Sequence, residues 1–263
     1  MIQPTSLWRS LTIQGRVINA LLMREVITRF GRHNVGVLWL VAEPMIFTLG
    51  VGAMWRAVIG DNKGGLPIFA FAITGYSSVL MWRNTVGYCT IAIQSNVNLL
   101  YHRNVRLIDV FATRILLEAA GATASFTVLS IIFIALGLIQ PPPDVLLVLG
   151  GWAMLTWFSA ALALAVGSAA SHGELVKRLW SPISYLLFPA SGAAFMVDWL
   201  PPAGQQAVLL LPMVHGLELM REGYFGHTVH THYDMGYMAM VNLLLTLLGL
   251  LLLRDATRRV GTK

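Results

Sequence analysis

Long apolar stretches alternate along the chain with short breaks that are polar, basic or rich in glycine and proline. A bilayer core of roughly 30 Å needs about 20 apolar residues per helix. Six stretches suit that requirement: 35–59, 67–93, 114–139, 145–170, 179–197 and 237–253. The pattern predicts an all-α integral membrane protein, one domain over residues 1–263, with six transmembrane helices. Before the first span, in residues 1–33, Leu7, Leu11, Ile18 and Leu22 share one helical face, with Arg9 and Arg16 opposite. That spacing predicts an amphipathic helix lying in the membrane interface.

Two connections are more than turns. Residues 94–113 are polar, with Asn96, Asn98, His102, Arg103, Asn104 and Arg106, and are long enough for a short helix. Residues 198–235 contain an apolar run, Ala207 to Leu211, stopped by Pro212, and then a second helical piece at 213–221. Both pieces are too short to span. They suit re-entrant or interfacial helices, whose backbone ends must be covered by protein or water. Pro141, Pro142 and Pro143 predict a stiff turn after the third span.

Composition agrees with lipid as the solvent. Hydrophobic residues make up 56% of the 263 and charged residues 11%, against roughly 25% charged in a soluble domain. Mean hydropathy is +0.68. Such a chain is neither a soluble enzyme nor a disordered segment. The single cysteine, Cys89, leaves no intrachain disulfide and no cysteine-based zinc site. Arg9, Arg16 and Arg24 interrupt the first thirty residues, which argues against a signal peptide.

The net charge of +6 reads as topology. With the N-terminus cytoplasmic, only Arg56, Lys63 and Arg221 of the 18 lysines and arginines fall away from the cytoplasmic side. The bias places both termini inside and fits an even number of spans. Nucleic acid is not needed to explain the basic excess.

Candidate chemistry is sparse. None of the three lysines follows a glycine, so no phosphate-binding loop for ATP is present. His227, His230 and His232 could be read as a metal cluster, but their spacing favours a solvated loop. Ionisable residues inside spans carry more weight, because each is costly there. They are Glu43 beside Pro44, Arg83 after Trp82, and Glu118. One reading pairs the glutamates with nearby arginines. The other is a polar, aromatic-lined path in which Trp82, Arg83 and Tyr88 meet a sugar chain, with arginine attracting an anionic one.

Several stretches resemble a known family. "REVITRFGRHNVGVLWLVAEPMIF", from Arg24 to Phe47, resembles the first segment of type-2 ABC exporter permeases of the polysaccharide branch. "QSNVNLLYHRNVRLIDVFATRILLE", from Gln94 to Glu118, is similar to their cytoplasmic coupling segment, most of all in group-2-type capsule polysaccharide exporters. "LPMVHGLELMREGYFG", from Leu211 to Gly226, is similar to their outer re-entrant region, although Leu211 stands where an asparagine is expected. The resemblance implies a coupling helix of Asn96, Asn98, Leu99, Leu100 and Tyr101 in a groove of an ATPase, with Arg103 and Arg106 at its rim. It implies an interfacial gate helix containing Arg24, Glu25, Arg29 and Phe30, and places Trp82 and Arg83 on the translocation path. The outer segment would form periplasmic re-entrant helices.

The resulting expectation is a permease subunit in the bacterial inner membrane, moving lipid-linked capsular polysaccharide outward. It would bind no cofactor of its own; ATP and Mg would sit in a separate soluble ATPase. Six helices leave little room for a hydrated glycan, so a homodimer sharing one path, in a 2:2 assembly with the ATPase, is expected. Periplasmic or outer-membrane export proteins are optional further partners. Alternatives are export of another lipid-linked glycan, such as O-antigen or teichoic acid, and, less favoured, an intramembrane glycan or lipid transferase. A proton-coupled secondary transporter is disfavoured by the absence of an internal repeat.

Overall fold

The computed structural model describes residues 7–30, 35–96 and 105–260. Among them are nine α-helices and a single two-stranded hairpin. Helix α1 (Leu7–Phe30) lies against α2 (Val35–Ile59) and α4 (Leu107–Ala135). Its packed side is partly polar, through Gln14, Glu25 and Arg29, while Trp8, Leu11, Met23 and Ile27 are exposed. Leu21 is buried on the packed side with Val17 beside the core, so apolar residues lie on both sides of this helix.

Strands β1 (Asn62–Lys63) and β2 (Leu66–Pro67) join α2 to α3 (Ile68–Thr90). Their two-residue turn, Gly64–Gly65, has φ of +58° and +82°. A positive φ at both positions is what a tight hairpin turn of this kind demands, and glycine meets it without steric cost. Glycine is needed at Gly64 for a second reason. A Cβ there would sit 2.3 Å from a ring carbon of Trp199.

Helix α3 is buried along most of its length despite its hydroxyls. Thr74 donates to Ala70 O at 2.9 Å, Ser78 to Gly75 O at 2.7 Å and Thr85 to Met81 O at 2.6 Å. These three hydroxyls are satisfied inside the helix, which removes much of the desolvation cost of burying them; Ser77 Oγ is buried without a partner.

Helix α5 (Val145–Ala170) is the centre of the bundle and packs on α3, α8 (Pro212–Phe225) and α9 (Met235–Val260). Asp144 caps it, accepting from the backbone N–H of Leu146 and Leu147 at 2.9 and 3.0 Å. In lipid, helices associate through close packing rather than through release of water. The buried small residues Ser159, Ala161, Ala163, Ala165, Gly167 and Ser168 of α5 supply that closeness. So does Gly151, where a Cβ would stand 2.7 Å from Gly216 O of α8.

Among the described residues, four helices are long and apolar enough to cross a membrane: Leu38–Ile59, Leu107–Ala135, Val145–Ala170 and Met235–Arg259. The other two stretches read as spans hold α3, which is too polar to stand out by composition, and α6 (Glu174–Ala190), which has only 17 residues and contains Pro182 and Pro189. Some boundaries differ from the sequence reading. Helix α4 starts at Leu107 because Asp109 Oδ2 accepts from Arg106 N at 3.0 Å and caps it there, so Arg114 lies inside the helix. Helix α6 stops at Ala190, before Gly192 turns the chain at φ +84°. Helix α9 continues through Arg254, Arg258 and Arg259, which leaves no separate tail before Val260.

Beyond α6 come the short α7 (Pro202–Val208) and then α8. The second of these is no surface segment. Met213 through Arg221 are all buried, against α5, α3 and α9. The bundle thus has a hairpin end, where β1, β2, Trp199 and the proline turn gather, and a basic end, where α1 and residues 94–96 lie.

Candidate functional site

Toward the basic end, α2, α3 and α6 enclose a cleft of about 650 Å³. Glu43 and Phe47 come from α2, Arg83, Asn84 and Tyr88 from α3, and Lys177, Trp180 and Tyr185 from α6. Leu80 and Ile91, both lining residues, bracket a length of about 16 Å along α3 at 1.5 Å per residue. The Arg83 guanidinium lies 4.1 Å from the centre of the Tyr185 ring, a cation–π contact that joins α3 to α6 at the cleft. A smaller void of about 20 Å³ adjoins it, lined in part by Glu43, Asn84, Tyr88 and Glu118. That is room for one water among polar partners.

Of the residues expected on a path, Arg83 and Tyr88 line the cleft. Trp82 does not. It is 1% exposed and meets Trp180 edge-on at 6.2 Å, so it stands behind a lining residue.

Below the cleft, a charge network fastens α1 to α4. Arg29 pairs with Glu25 at 2.9 Å and with Glu118, and Arg114 pairs with Glu25 at 3.1 Å. Two arginines and two glutamates cancel, which is the condition for holding charge away from water. Arg29 also lies 3.7 Å from the Tyr88 ring centre. The network reaches the start of the polar connection: Arg24 donates to Asn96 Oδ1 at 2.8 Å, Arg114 to Ser95 Oγ at 2.7 Å and to Tyr88 O, and Lys177 to Gln94 Oε1. Gln94–Asn96 form a single 3₁₀ turn. Asn98, Leu99, Leu100, Tyr101 and Arg103 lie outside the described residues; Arg106 precedes α4, and Phe30 ends α1.

Sequence reading foresaw an arginine partner for Glu118 but missed Arg114, Lys177 and Gln94. The i, i+4 spacing of Arg114 and Glu118 was an available signal that the two share a helix face. Nothing in the sequence joins Lys177 to Gln94, which are 83 positions apart.

The hairpin end is held differently. Arg221, fully buried, donates to the carbonyls of Gly192 at 2.8 Å, Phe195 at 2.6 Å and Ala193 at 3.0 Å. It fixes the turn after α6. Lys63 donates to Ala194 O at 2.6 Å and sits 3.9 Å from the Trp55 ring centre; burial, then the Arg221 charge, lowers its pKa below the usual lysine value. His232 contacts Asp198 at 3.3 Å, and its backbone N–H donates to Glu218 at 3.2 Å. Among the described residues, no three His, Cys, Asp or Glu side chains gather as a metal ion would require.

A family model described as "ABC-2 type transporter" matches residues 16–225. The chain is 43% identical over 259 residues, 98% of each sequence, to the "Capsule polysaccharide export inner-membrane protein CtrC" of Neisseria meningitidis serogroup B. It is 41% identical over 256 residues, 97% of each, to the "Capsule polysaccharide export inner-membrane protein BexB" of Haemophilus influenzae. At 24% identity over 242 residues, 92% of this chain and 94% of the relative, it is similar to the "Polysialic acid transport protein KpsM" of Escherichia coli.

Proposed function

This chain belongs to the ABC-2 type transporter family, and from that premise we propose that it is the permease subunit of an ATP-driven exporter of lipid-linked capsular polysaccharide across the inner membrane. The near-full-length likeness to capsule export inner-membrane proteins carries this reading. The cleft supports it, because a polar and aromatic groove in so apolar a chain suits a glycan.

In this reading α3 and α6 complete six spans. Helix α3 needs few lipid-facing apolar residues because the bundle buries it, and its 23 residues extend about 34 Å. The basic end is cytoplasmic, with both termini, and α8 is a re-entrant helix on the periplasmic side. Helix α1 acts as a gate, and 94–113 as the coupling segment seated on a soluble ATPase. That ATPase supplies ATP and Mg binding. Two copies of this chain with two ATPase subunits form the working assembly, so that α2, largely uncovered here, lines a shared path.

The test is reconstitution of this chain with its ATPase in proteoliposomes, following ATP-dependent transfer of lipid-linked capsular polysaccharide. Transfer that stops when the ATP site of the partner is disabled supports the reading. A stable monomer that hydrolyses ATP alone, or modifies a lipid-linked glycan without the ATPase, overturns it.

A further inference from the structure

Lys177 occupies two places at once. It lines the cleft, and its ammonium donates to Gln94 Oε1. Gln94 opens the 3₁₀ turn Gln94–Asn96, whose other members are held by Arg114 and Arg24. We infer that Lys177 senses an anionic group of the cargo in the cleft and reports its arrival by releasing Gln94. This rests on the permease reading and adds to it a residue that couples loading to the cytoplasmic connection.

The argument is one of competition. An ammonium gains more from a carboxylate or phosphate oxygen than from a neutral amide oxygen, because the acceptor is charged. Arg83 lines the same cleft, stacked on the Tyr185 ring about 12 Å along α6 from Lys177 at 1.5 Å per residue, where its guanidinium meets another part of the cargo. Glu43 lines the cleft on the third helix and disfavours a second negative group beside it. An anionic group arriving beside Lys177 draws the lysine inward and leaves Gln94 without its donor. The three side-chain contacts that tie Gln94–Asn96 to other helices then fall to two, and the turn is loosened at its first residue. Arg24 and Arg114 do not face the cleft, so they cannot report its occupancy in this way.

Two sources carry the anion: a phosphate at the lipid terminus or a carboxylate on the glycan. The experiment uses the full complex with its ATPase in nanodiscs. The probes are a lysophospholipid bearing a neutral oligosaccharide, and an acidic oligosaccharide on an uncharged alkyl chain. ATP hydrolysis is measured with and without each. Wild type is expected to be stimulated by at least one probe, and which one identifies the source. Lys177→Gln should raise the basal rate, abolish stimulation and weaken apparent affinity for that probe by about tenfold, the loss of one charge-assisted hydrogen bond. Lys177→Arg should restore stimulation. Gln94→Ala should raise the basal rate while leaving the affinity for the probe unchanged, which separates sensing from mere support. If wild type is stimulated and Lys177→Gln and Gln94→Ala behave like it, this inference is wrong and the permease reading stands. If wild type responds to neither probe and moves no glycolipid, both fall.

Discussion

The Arg29 guanidinium stands 3.7 Å from the centre of the Tyr88 ring. One residue belongs to α1 and the other to the cleft wall. The same guanidinium is held by Glu25 on its own helix and by Glu118 on α4. A displacement of α1 therefore moves the cation against a lining residue, and the ion pairs fix how far it can go before charge is left uncompensated.

Tyr88→Phe keeps the ring face and should export near the wild-type rate. Tyr88→Ala removes a contact worth about 0.5–2 kcal/mol and should export several-fold more slowly, with ATPase binding intact. Proteoliposome transport rates check this, and equal rates for the two variants would show that the ring face is not used.

Glu118→Ala leaves Arg29 with Glu25 alone. Breaking a buried pair from one side typically costs about 3–5 kcal/mol. The partial exposure of Arg29, 13% against 7% for Glu118, puts the expected loss at the lower end. Thermal unfolding of the detergent-solubilised protein should show a clear fall in Tm, and Glu118→Gln, which keeps an acceptor for Arg29, should lose less.

Arg83→Lys keeps the charge without the planar fork, and Arg83→Ala loses both. Both variants should insert and bind the ATPase. Export should fall more in the alanine form, and more for acidic than for neutral glycans. Failure of Arg83→Ala to assemble would make the residue structural.

Leu100→Asp should detach the ATPase without disturbing insertion. The expectation rests on the sequence, since burying a leucine in a groove is worth about 1.5–3 kcal/mol and an aspartate forfeits it. Co-purification reads the outcome directly, and a fully retained ATPase would remove Leu100 from the interface.

Gly64→Ala forces a side chain into φ +58° and against Trp199. A lowered Tm is expected, with the larger effect at Gly64 than at Gly65, where nothing lies within 4 Å of the added Cβ. Two equal shifts would mean that the backbone angle alone sets the cost.

Much of the bundle was legible because apolar length is a direct signal of helices that meet lipid. Helix α5 and helix α2 cover the residues that the apolar run alone marks. Boundaries set by a single polar atom were not: the Asp109 cap lengthens α4 by two turns into a stretch that reads as a loop. Burial of α8 was hidden too, since Glu218 and Arg221 look like surface charges until their carbonyl and N–H partners are known. At the site, Arg83 and Tyr88 were readable as costly or aromatic residues in a span. Trp82 does not line the cleft, because its ring is buried edge-on behind Trp180 while Arg83 and Asn84 line it. Lys177 was unreadable, because its meaning comes from a partner brought near by folding.

The self-satisfied hydroxyls of α3 have a consequence for how the chain is made. A nascent segment this polar does not partition into lipid on its own hydropathy, and α3 is absent from the helices that would. Its neighbour α2 does qualify, and the two are joined by only the eight residues from 60 to 67, with Gly64–Gly65 at the turn. The two helices are therefore suited to leave the insertion machinery as one hairpin, α2 shielding α3 until α5 arrives. A chain halted between α3 and α5 during synthesis would hold α3 without its final neighbour, and that interval is when quality-control proteases would find it.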